Sequence, residues 1–154
     1  MTPQEIATHV GKGMMATDHA SIAMGIRLTH ISPGAAHMEM QVRSDMMNGF
    51  GTCHGGMITT LADSAFGFAC NSYNELTVAS GLSIDFLAPA FEGDVLTARA
   101  SEVSLSGRTG VNDVTVFNQM ADCVALFRGR SHRIKGKTVV ALVDNHVHVQ
   151  INCP

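Results

Sequence analysis

The sequence has few charged residues and few aromatic ones. Charged residues make up 15% of the 154 residues, which is low for a soluble domain, while hydrophobic residues make up 45%. We therefore expect part of the surface to be buried in a homo-oligomer, and the apolar content excludes disorder over most of the length. The net charge is −3 and Trp is absent. Because neither a basic surface nor a base-stacking platform is indicated, we expect no nucleic-acid partner.

The cysteines and the first residues exclude several other classes. Four cysteines are present, but no C-x-x-C pair occurs, so neither a zinc site nor a dense disulfide framework is expected. The N-terminal residues lack the basic and apolar regions of a signal peptide. The uncharged run 46–62 contains four glycines and is not typical of a membrane span. The sequence predicts a cytoplasmic protein with free thiols and with no metal, cofactor or membrane partner.

Hydrophobic periodicity predicts two helices, and the length fits one domain. Residues 4–18 carry apolar side chains at helical spacing and predict a short helix. Residues 56–73 are apolar on nearly all sides, which is typical of a buried helix.

Six segments predict β-strands. They are residues 22–32, 36–42, 78–86, 94–105, 109–119 and 122–133. Residues 36–42 alternate strictly between apolar and polar, and residues 78–86 alternate with the even-numbered positions from Val78 to Phe86 on one face. Because the connections are short, antiparallel order is favoured. The sequence thus predicts an α+β fold with one long helix among five or six strands.

The C-terminal part is assigned separately. We assign residues 1–135 to the folded domain and residues 136–154 to an extension of unknown role. Residues 139–143 are compatible with a strand, although a partly ordered extension is the simpler interpretation. His146 and His148 lie in this tail without a metal-ligand spacing.

Asp63 is the first candidate for chemistry. It is the only charged residue between Asp45 and Glu75, and it lies in the middle of the helix predicted to be buried. An isolated carboxylate in such a helix is costly to desolvate, and its helical neighbours are small or partly polar. Satisfaction by Thr hydroxyls or by a partner's Arg is the structural explanation. A catalytic base on the floor of a cleft is the functional explanation, which the isolation of Asp63 favours.

His54 and Gly55 stand at the entrance of the same helix. First-turn amides lack intrahelical partners and lie at the positive end of the helix dipole, so the Gly55 N–H could polarise a carbonyl. His54 could act as donor, acid or base, or only complete its loop. Asp63 lies eight residues beyond Gly55, about 12 Å along one helix axis. If both groups act on one carbonyl, they must come from different subunits.

Two weaker candidates complete the set. Asn48 precedes a glycine in a turn, where its amide could orient water or a carbonyl, although an ordinary turn residue is the simpler interpretation. Arginines near the strand ends could contact phosphates, but solvated strand edges are the commoner explanation. These are Arg108, Arg128, Arg130 and Arg133.

Two runs in the centre of the chain resemble a known family. Residues 48–56 read NGFGTCHGG and residues 61–66 read LADSAF, and the later runs are IDFLAP at 84–89, GDVLTA at 93–98 and ALFRGRSHR at 125–133. Together they resemble the hotdog-fold acyl-CoA thioesterases, in the phenylacetate-degradation branch. The resemblance covers about residues 14–135 and does not extend into the tail.

The resemblance implies a long central helix wrapped by a curved antiparallel sheet, assembled into dimers and then tetramers. It implies that Asp63 of one subunit faces Gly55 and Asn48 of its neighbour. The acid would be nucleophile or general base, the Gly55 N–H would polarise the thioester carbonyl, and Asn48 would place substrate or water. His54 also matches, with a less defined role. Some branches have serine on the strand after the helix, where this chain has Ala79.

The function hypothesis is hydrolysis of an acyl-CoA thioester, with an aryl- or arylacetyl-CoA as substrate and coenzyme A as product rather than cofactor. One alternative is a hotdog hydratase or dehydratase, which needs a His and an acid around the same carbon. Another is a non-catalytic acyl-CoA-binding module, which would gain little from a carboxylate in the helix.

Overall fold

The computed structural model describes residues 1–140. Two N-terminal helices come first, and six strands and one long helix follow them in the chain. The elements are α1 Pro3–Thr17, α2 His19–Ala23, β1 Arg27–Ser32, β2 Ala35–Gln41, α3 Gly55–Asn71, β3 Thr77–Phe86, β4 Val95–Ser106, β5 Thr109–Phe117 and β6 Cys123–Arg133. A single 3-10 turn, Ser44–Met46, lies between β2 and α3.

The six strands form one antiparallel sheet in the order β1-β2-β4-β5-β6-β3, and α3 contacts every strand. Alternation in β2 places Ala36, Met38 and Met40 in the core, as the period of two predicts. Phe66 of α3 packs so closely on β6 that a Cβ on Gly129 would lie 2.7 Å from its ring. The α+β prediction with a long helix and six antiparallel strands is confirmed.

The strand predicted at residues 22–32 is wrong over its first half. The Asp18 side chain accepts a hydrogen bond from the Ser21 N–H (3.1 Å) and starts α2, which occupies His19–Ala23. Gly25 then adopts a φ of +69°, which reverses the chain before β1 begins at Arg27. The Asp18 cap therefore favours a helix at the residues where the sequence pattern predicted the first half of a strand.

β3 has a bulge that the alternating pattern did not predict. Its pairing with β6 shifts register between Ala79 and Gly81, so Ser80 is the extra residue. Val78 consequently lies on the face opposite Leu82, and the even-numbered face predicted for the whole strand changes sides at the bulge. β3 is also the last strand of the sheet, with β6 as its only partner within residues 1–140.

The segment after β6 begins against the turn that follows α3. The Leu76 N–H donates to the Lys137 carbonyl (3.0 Å), and the Val140 N–H donates to Asn74 Oδ1 (3.0 Å). Val139 is buried, and Val139 and Val140 have helical backbone, so the strand compatible with 139–143 does not start there. Residues 141–143, His146 and His148 lie outside the described residues. The division at residue 135 stays a prediction.

Candidate active site

The entrance of α3 is built by an ordered loop. The His54 N–H donates to the Met46 carbonyl (2.8 Å), and the Cys53 N–H donates to the Ala90 carbonyl (2.7 Å). His54 is the N-cap of α3, because its Nδ1 accepts a hydrogen bond from the Gly56 N–H (2.9 Å). Its neutral ring therefore carries the proton on Nε2. These hydrogen bonds complete the loop, and the role of His54 as donor, acid or base stays a prediction.

Gly55 has the free amide at this entrance. Within residues 1–140 the Gly55 N–H donates to no protein acceptor, whereas the adjacent Gly56 N–H is occupied by His54. A Cβ on Gly55 would lie 2.9 Å from the Phe86 ring of β3, so glycine allows this close packing. The first-turn amide therefore points from the helix N-terminus with its hydrogen-bonding capacity unused, as a carbonyl-binding donor requires.

Asn48 shapes the loop that precedes the helix. Its Oδ1 accepts from the N–H groups of Phe50 (2.9 Å) and Thr52 (3.1 Å), and its Nδ2 donates to Thr52 Oγ1 (2.8 Å). These contacts are those of an Asx turn, so the structural interpretation accounts for most of its hydrogen-bonding groups. One Nδ2 hydrogen is left, because an amide nitrogen donates twice.

Asp63 lies on the side of α3 that the sheet does not cover. Gly56, Thr60, Asp63 and Gly67 are spaced along one stripe of the helix, and in the single chain Asp63 is exposed. The prediction of a buried helix is confirmed for the sides of α3 that pack against the sheet, and it is wrong for this stripe, which the single chain leaves open. The Asp63 carboxylate forms no ion pair within residues 1–140.

The Asp63 carboxyl has a perturbed acidity. Partial desolvation by the surrounding chain raises its pKa, and the negative charge of Asp18 raises the pKa further. The exposure of Asp63 and its partial desolvation are compatible, because a side chain at a helix surface loses water on the sides that face its neighbours. An unpaired carboxylate with a raised pKa on an open stripe has the properties of a candidate base.

A hydrogen-bond chain beside Asp63 was not predicted from the sequence. Ser21 is buried and donates through Oγ to Asp18 Oδ2 (2.7 Å), and its Oγ lies 2.8 Å from Ser64 Oγ. The contact between Ser21 and Ser64 connects α2 to α3 one residue from Asp63. The signal in the sequence was Asp18 itself, because Asp is a preferred helix N-cap residue.

A cavity of about 320 Å³ lies next to Gly55, and the sequence did not predict it. Its walls include Ile58 of α3, Phe86 and the segment that follows β3. The apolar character of these residues suits an acyl or aryl group rather than a charged one. Periodicity could not reveal this cavity, because its walls come from a loop and two separate elements.

Asp63 and Gly55 are not brought together within one chain. The eight residues between them keep their backbones about 12 Å apart along α3. The groups could share one substrate only if a second copy supplied one of them. Within residues 1–140, no group of three His, Cys, Asp or Glu residues could hold a metal ion, and none of the helices qualifies as a membrane-spanning segment.

The chain is similar to proteins of known class. The profile described as the thioesterase superfamily matches residues 50–125. The acyl-coenzyme A thioesterase PaaI of Escherichia coli K12 is 46% identical over 123 residues, which cover 80% of this chain and 88% of that protein. The solved structure of the E. coli PaaI protein, from the phenylacetic acid degradation operon, superposes with a TM-score of 0.87 at 43% identity, covering 89% of this chain and 99% of that one.

A structure with a bound coenzyme A derivative is more distant. The protein smu.793 from Streptococcus mutans UA159, bound to acetyl CoA, superposes with a TM-score of 0.70 at 27% identity. The superposition covers 73% of this chain and 91% of that chain.

Proposed function

The chain belongs to the thioesterase superfamily, with the hotdog fold of its acyl-CoA thioesterases, and from this premise we propose that it hydrolyses aryl- or arylacetyl-CoA thioesters at a site built by two copies of the chain. The resemblance seen in residues 48–66 is confirmed by the family match and by the relatives. Phenylacetyl-CoA and its hydroxylated derivatives are the preferred candidates, as in the aromatic-acid degradation to which the E. coli relative belongs.

One observation carries the proposal. Within residues 1–140, the chain displays an unpaired carboxylate, Asp63, on an open stripe of α3, and an unpartnered amide, Gly55 N–H, at the start of the same helix. Ester and thioester hydrolysis need this pair of functions, namely a base or nucleophile and a donor for the developing oxyanion. The hydrolysis needs no metal or bound cofactor in this scheme.

The reaction follows from these two groups. The Gly55 N–H of one subunit donates to the thioester carbonyl oxygen and polarises the carbon. Asp63 of the other subunit either removes a proton from an attacking water or attacks the carbon itself, forming an anhydride that water then opens. In both routes the C–S bond breaks and coenzyme A leaves as the thiol. In the general-base route the product acid takes the water oxygen, whereas in the nucleophilic route water opens the anhydride at the Asp63 carbonyl, so the product acid takes an Asp63 oxygen and the water oxygen stays in Asp63. Single turnover in ¹⁸O-water separates the routes, because only the nucleophilic route places label in Asp63.

The edge strand supports a shared site. β3 has β6 as its only strand partner in the described part of the chain, yet its apolar side chains Leu82 and Phe86 are 45% and 51% exposed. A long, apolar, uncovered edge is unfavourable unless another strand pairs with it. If two copies pair through β3 about a two-fold axis, we expect the entrance of one α3 to lie beside the middle of the other. We expect such dimers to associate into tetramers.

Asn48 and His54 have supporting roles in this scheme. His54 holds the first turn of α3 through its bond to the Gly56 N–H, which leaves only the Gly55 amide for the substrate. Asn48 fixes the preceding loop and can place water or substrate with its remaining Nδ2 hydrogen. The hydratase alternative is weakened, because His54 Nδ1 is occupied by the backbone. Within residues 1–140, the thiols of Cys53, Cys70 and Cys123 are free, which fits the cytoplasmic location that we propose.

Thiol release tests the proposal most simply. The purified protein is incubated with a panel of acyl-CoA thioesters, and free coenzyme A is measured with a thiol reagent. We expect hydrolysis of phenylacetyl-CoA and of ring-hydroxylated relatives, with slower turnover of acetyl-CoA because the apolar cavity near Gly55 would stay unfilled. Binding of these thioesters without thiol release would instead indicate a binding module, and loss of enoyl absorbance without thiol release would indicate a hydratase.

The pH dependence of kcat/KM is a further prediction. Hydrolysis requires ionised Asp63, and burial together with Asp18 raises the pKa of this carboxyl. We therefore expect kcat/KM for phenylacetyl-CoA to fall as the pH is lowered through a value above that of an ordinary aspartate. Thermal unfolding at each pH serves as the control for loss of fold. Full activity maintained down to the ordinary aspartate range would contradict the assignment.

A further inference from the structure

The corner between α1 and α2 is fixed at Asp18, which is the C-cap of the first helix and the N-cap of the second. Its backbone N–H donates to the Met14 carbonyl (3.0 Å), and its carbonyl accepts from the Ile22 N–H (3.0 Å). Its Oδ1 accepts from the Ser21 N–H (3.1 Å), and its Oδ2 accepts from the Ser21 hydroxyl (2.7 Å). Both backbone groups and both carboxylate oxygens are engaged, so the Asp18 carboxylate is held in one orientation.

The hydrogen-bond chain from Asp18 to α3 has a defined direction. Ser21 has one hydroxyl hydrogen and donates it to Asp18, because a carboxylate only accepts. In the contact between Ser21 Oγ and Ser64 Oγ (2.8 Å), Ser64 is therefore the donor. Ser21 is only 1% exposed, so water does not compete for these bonds. The Asp18 carboxylate thus orients two hydroxyls in turn, and the second belongs to the residue next to Asp63.

The contact at Ser64 places α2 at one side of Asp63. Successive residues are about 100° apart around an α-helix axis, so α2 covers the side of α3 at Ser64 while Asp63 stays on the open stripe beside it. Asp63 therefore lies at the boundary between a covered and an open side of the helix. Partial desolvation raises the pKa of Asp63, and the charge of Asp18 raises it further, as expected at such a boundary.

The other charged groups around α3 do not share this effect. The charged and histidine side chains of the strands lie on the sheet face opposite α3, except Glu102 and Arg133, which lie near the C-terminal end of the helix. Cys70, two turns along α3, is a neutral thiol, because burial raises its pKa to about 12. The remaining titratable groups of α1 and α2 are Glu5, His9, Lys12 and His19. Within residues 1–140, Asp18 is the one charge that raises the pKa of Asp63.

We propose that Asp18 is a positioning residue for the hydrolysis, acting on Asp63 from the corner between α1 and α2 and through the ordered hydroxyls of Ser21 and Ser64. The inference rests on the proposed function, in which Asp63 is the base or nucleophile. Asp18 is not a reacting group, because Ser21 occupies both of its carboxylate oxygens. It holds α2 against α3 beside Asp63, which limits the water around that carboxylate, and its negative charge makes Asp63 a stronger base. A base whose strength is matched to the working pH is more effective.

Two substitutions separate the charge of Asp18 from its hydrogen bonds. Asp18→Asn keeps the helix cap, because asparagine is as good an N-cap residue as aspartate, but it removes the charge and places an amide donor opposite the Ser21 hydroxyl. Ser21→Ala keeps the charge and breaks the connection to Ser64. Glu5→Gln is the matched control, because Glu5 caps α1, glutamine also completes a capping box, and this acid does not act on Asp63.

The first readout is the pH profile of kcat/KM for phenylacetyl-CoA, measured by thiol release. We expect Asp18→Asn to move the acid limb of the profile to lower pH and to lower kcat on the plateau by about two- to tenfold, the effect of one lost hydrogen bond. Ser21→Ala should lower kcat by a similar factor and leave the acid limb closer to that of wild type. Glu5→Gln should behave like wild type. A lower Tm of Asp18→Asn with an unmoved acid limb would show a purely structural role and overturn the inference.

The second readout needs no substrate. Carbon-13 NMR of the aspartate carboxyls reports the pKa of Asp63 directly, and Asp63→Asn identifies its signal. We expect this pKa to fall in Asp18→Asn and to stay nearer the wild-type value in Ser21→Ala. An unchanged pKa of Asp63 in a folded Asp18→Asn protein overturns the inference. If wild type releases no thiol while the pKa of Asp63 still depends on Asp18, the proposed function fails and the coupling between the two aspartates stands.

Discussion

Replacing Asp63 by asparagine is expected to lower kcat for phenylacetyl-CoA hydrolysis by about 10²- to 10⁴-fold. Asparagine has nearly the same size and occupies the same open stripe of α3, but it neither accepts a proton from water nor attacks a thioester. The binding of coenzyme A should change little, because asparagine keeps the size of the aspartate side chain. Thiol release under saturating substrate measures the effect, and a kcat equal to wild type would exclude Asp63 as base or nucleophile.

The stability of the same variant is the control for this loss. Because the pKa of Asp63 is raised in the folded chain, stability is greatest when the carboxyl is protonated and declines as the pH rises through that pKa. The charge is therefore unfavourable for folding at neutral pH, and asparagine removes it. We expect the Tm of Asp63→Asn at neutral pH to equal or exceed that of wild type, and the difference to disappear in acid. A large fall in Tm would mean that the lost activity reports on unfolding.

Replacing Gly55 by proline is expected to lower kcat by about 10²- to 10³-fold relative to Gly55→Ala. Proline removes the N–H that polarises the carbonyl, whereas alanine keeps it. The substitution suits the local backbone, because Gly55 is the first residue of α3, where proline is well tolerated. His54 has φ −60° and ψ 132°, which is the conformation preferred before proline. The comparison isolates one donor without breaking the helix.

Alanine is the matched control because both variants add the same Cβ. That atom would lie 2.9 Å from the end of the Phe86 ring, a half-exposed side chain on the edge strand that can move aside. Any effect of displacing Phe86 is therefore common to both variants. Circular dichroism and Tm should agree between them. If Gly55→Pro and Gly55→Ala have the same kcat, the amide does not stabilise the transition state.

The strands and helices that local pattern determines were predictable from the sequence. β2 alternates because one face packs on α3 and the other meets solvent, and the residues in its core are those that the pattern selects. α2 and the bulge in β3 depend instead on single hydrogen-bonding events, the Asp18 cap and the shift at Ser80, which periodicity averages out. Hydrophobic periodicity indicates burial over many residues, so it does not predict a cap or a bulge that depends on a single residue.

The candidate site was predictable in its residue types but not in its surroundings. Isolation in the sequence marked Asp63, and helix geometry showed that Gly55 lies too far along the same axis to share its substrate. The exposure of Asp63 was not predictable, because it depends on which side of α3 the sheet leaves open. The cavity beside Gly55 was also not predictable, since its walls come from a loop and from two separate elements. Arg128, a candidate phosphate ligand by position, is instead paired with Asp113 (2.7 Å).

A complementation experiment tests the shared site most directly. Asp63→Asn and Gly55→Pro chains carry different affinity tags and are co-expressed, and the mixed dimers are purified through both tags. In each mixed dimer one site receives the intact Asp63 of one chain and the intact Gly55 of the other, while the second site lacks both. The account predicts that the mixed dimers recover about half of the wild-type kcat per dimer, although each parent is nearly inactive. Mixed dimers as inactive as their parents would contradict it.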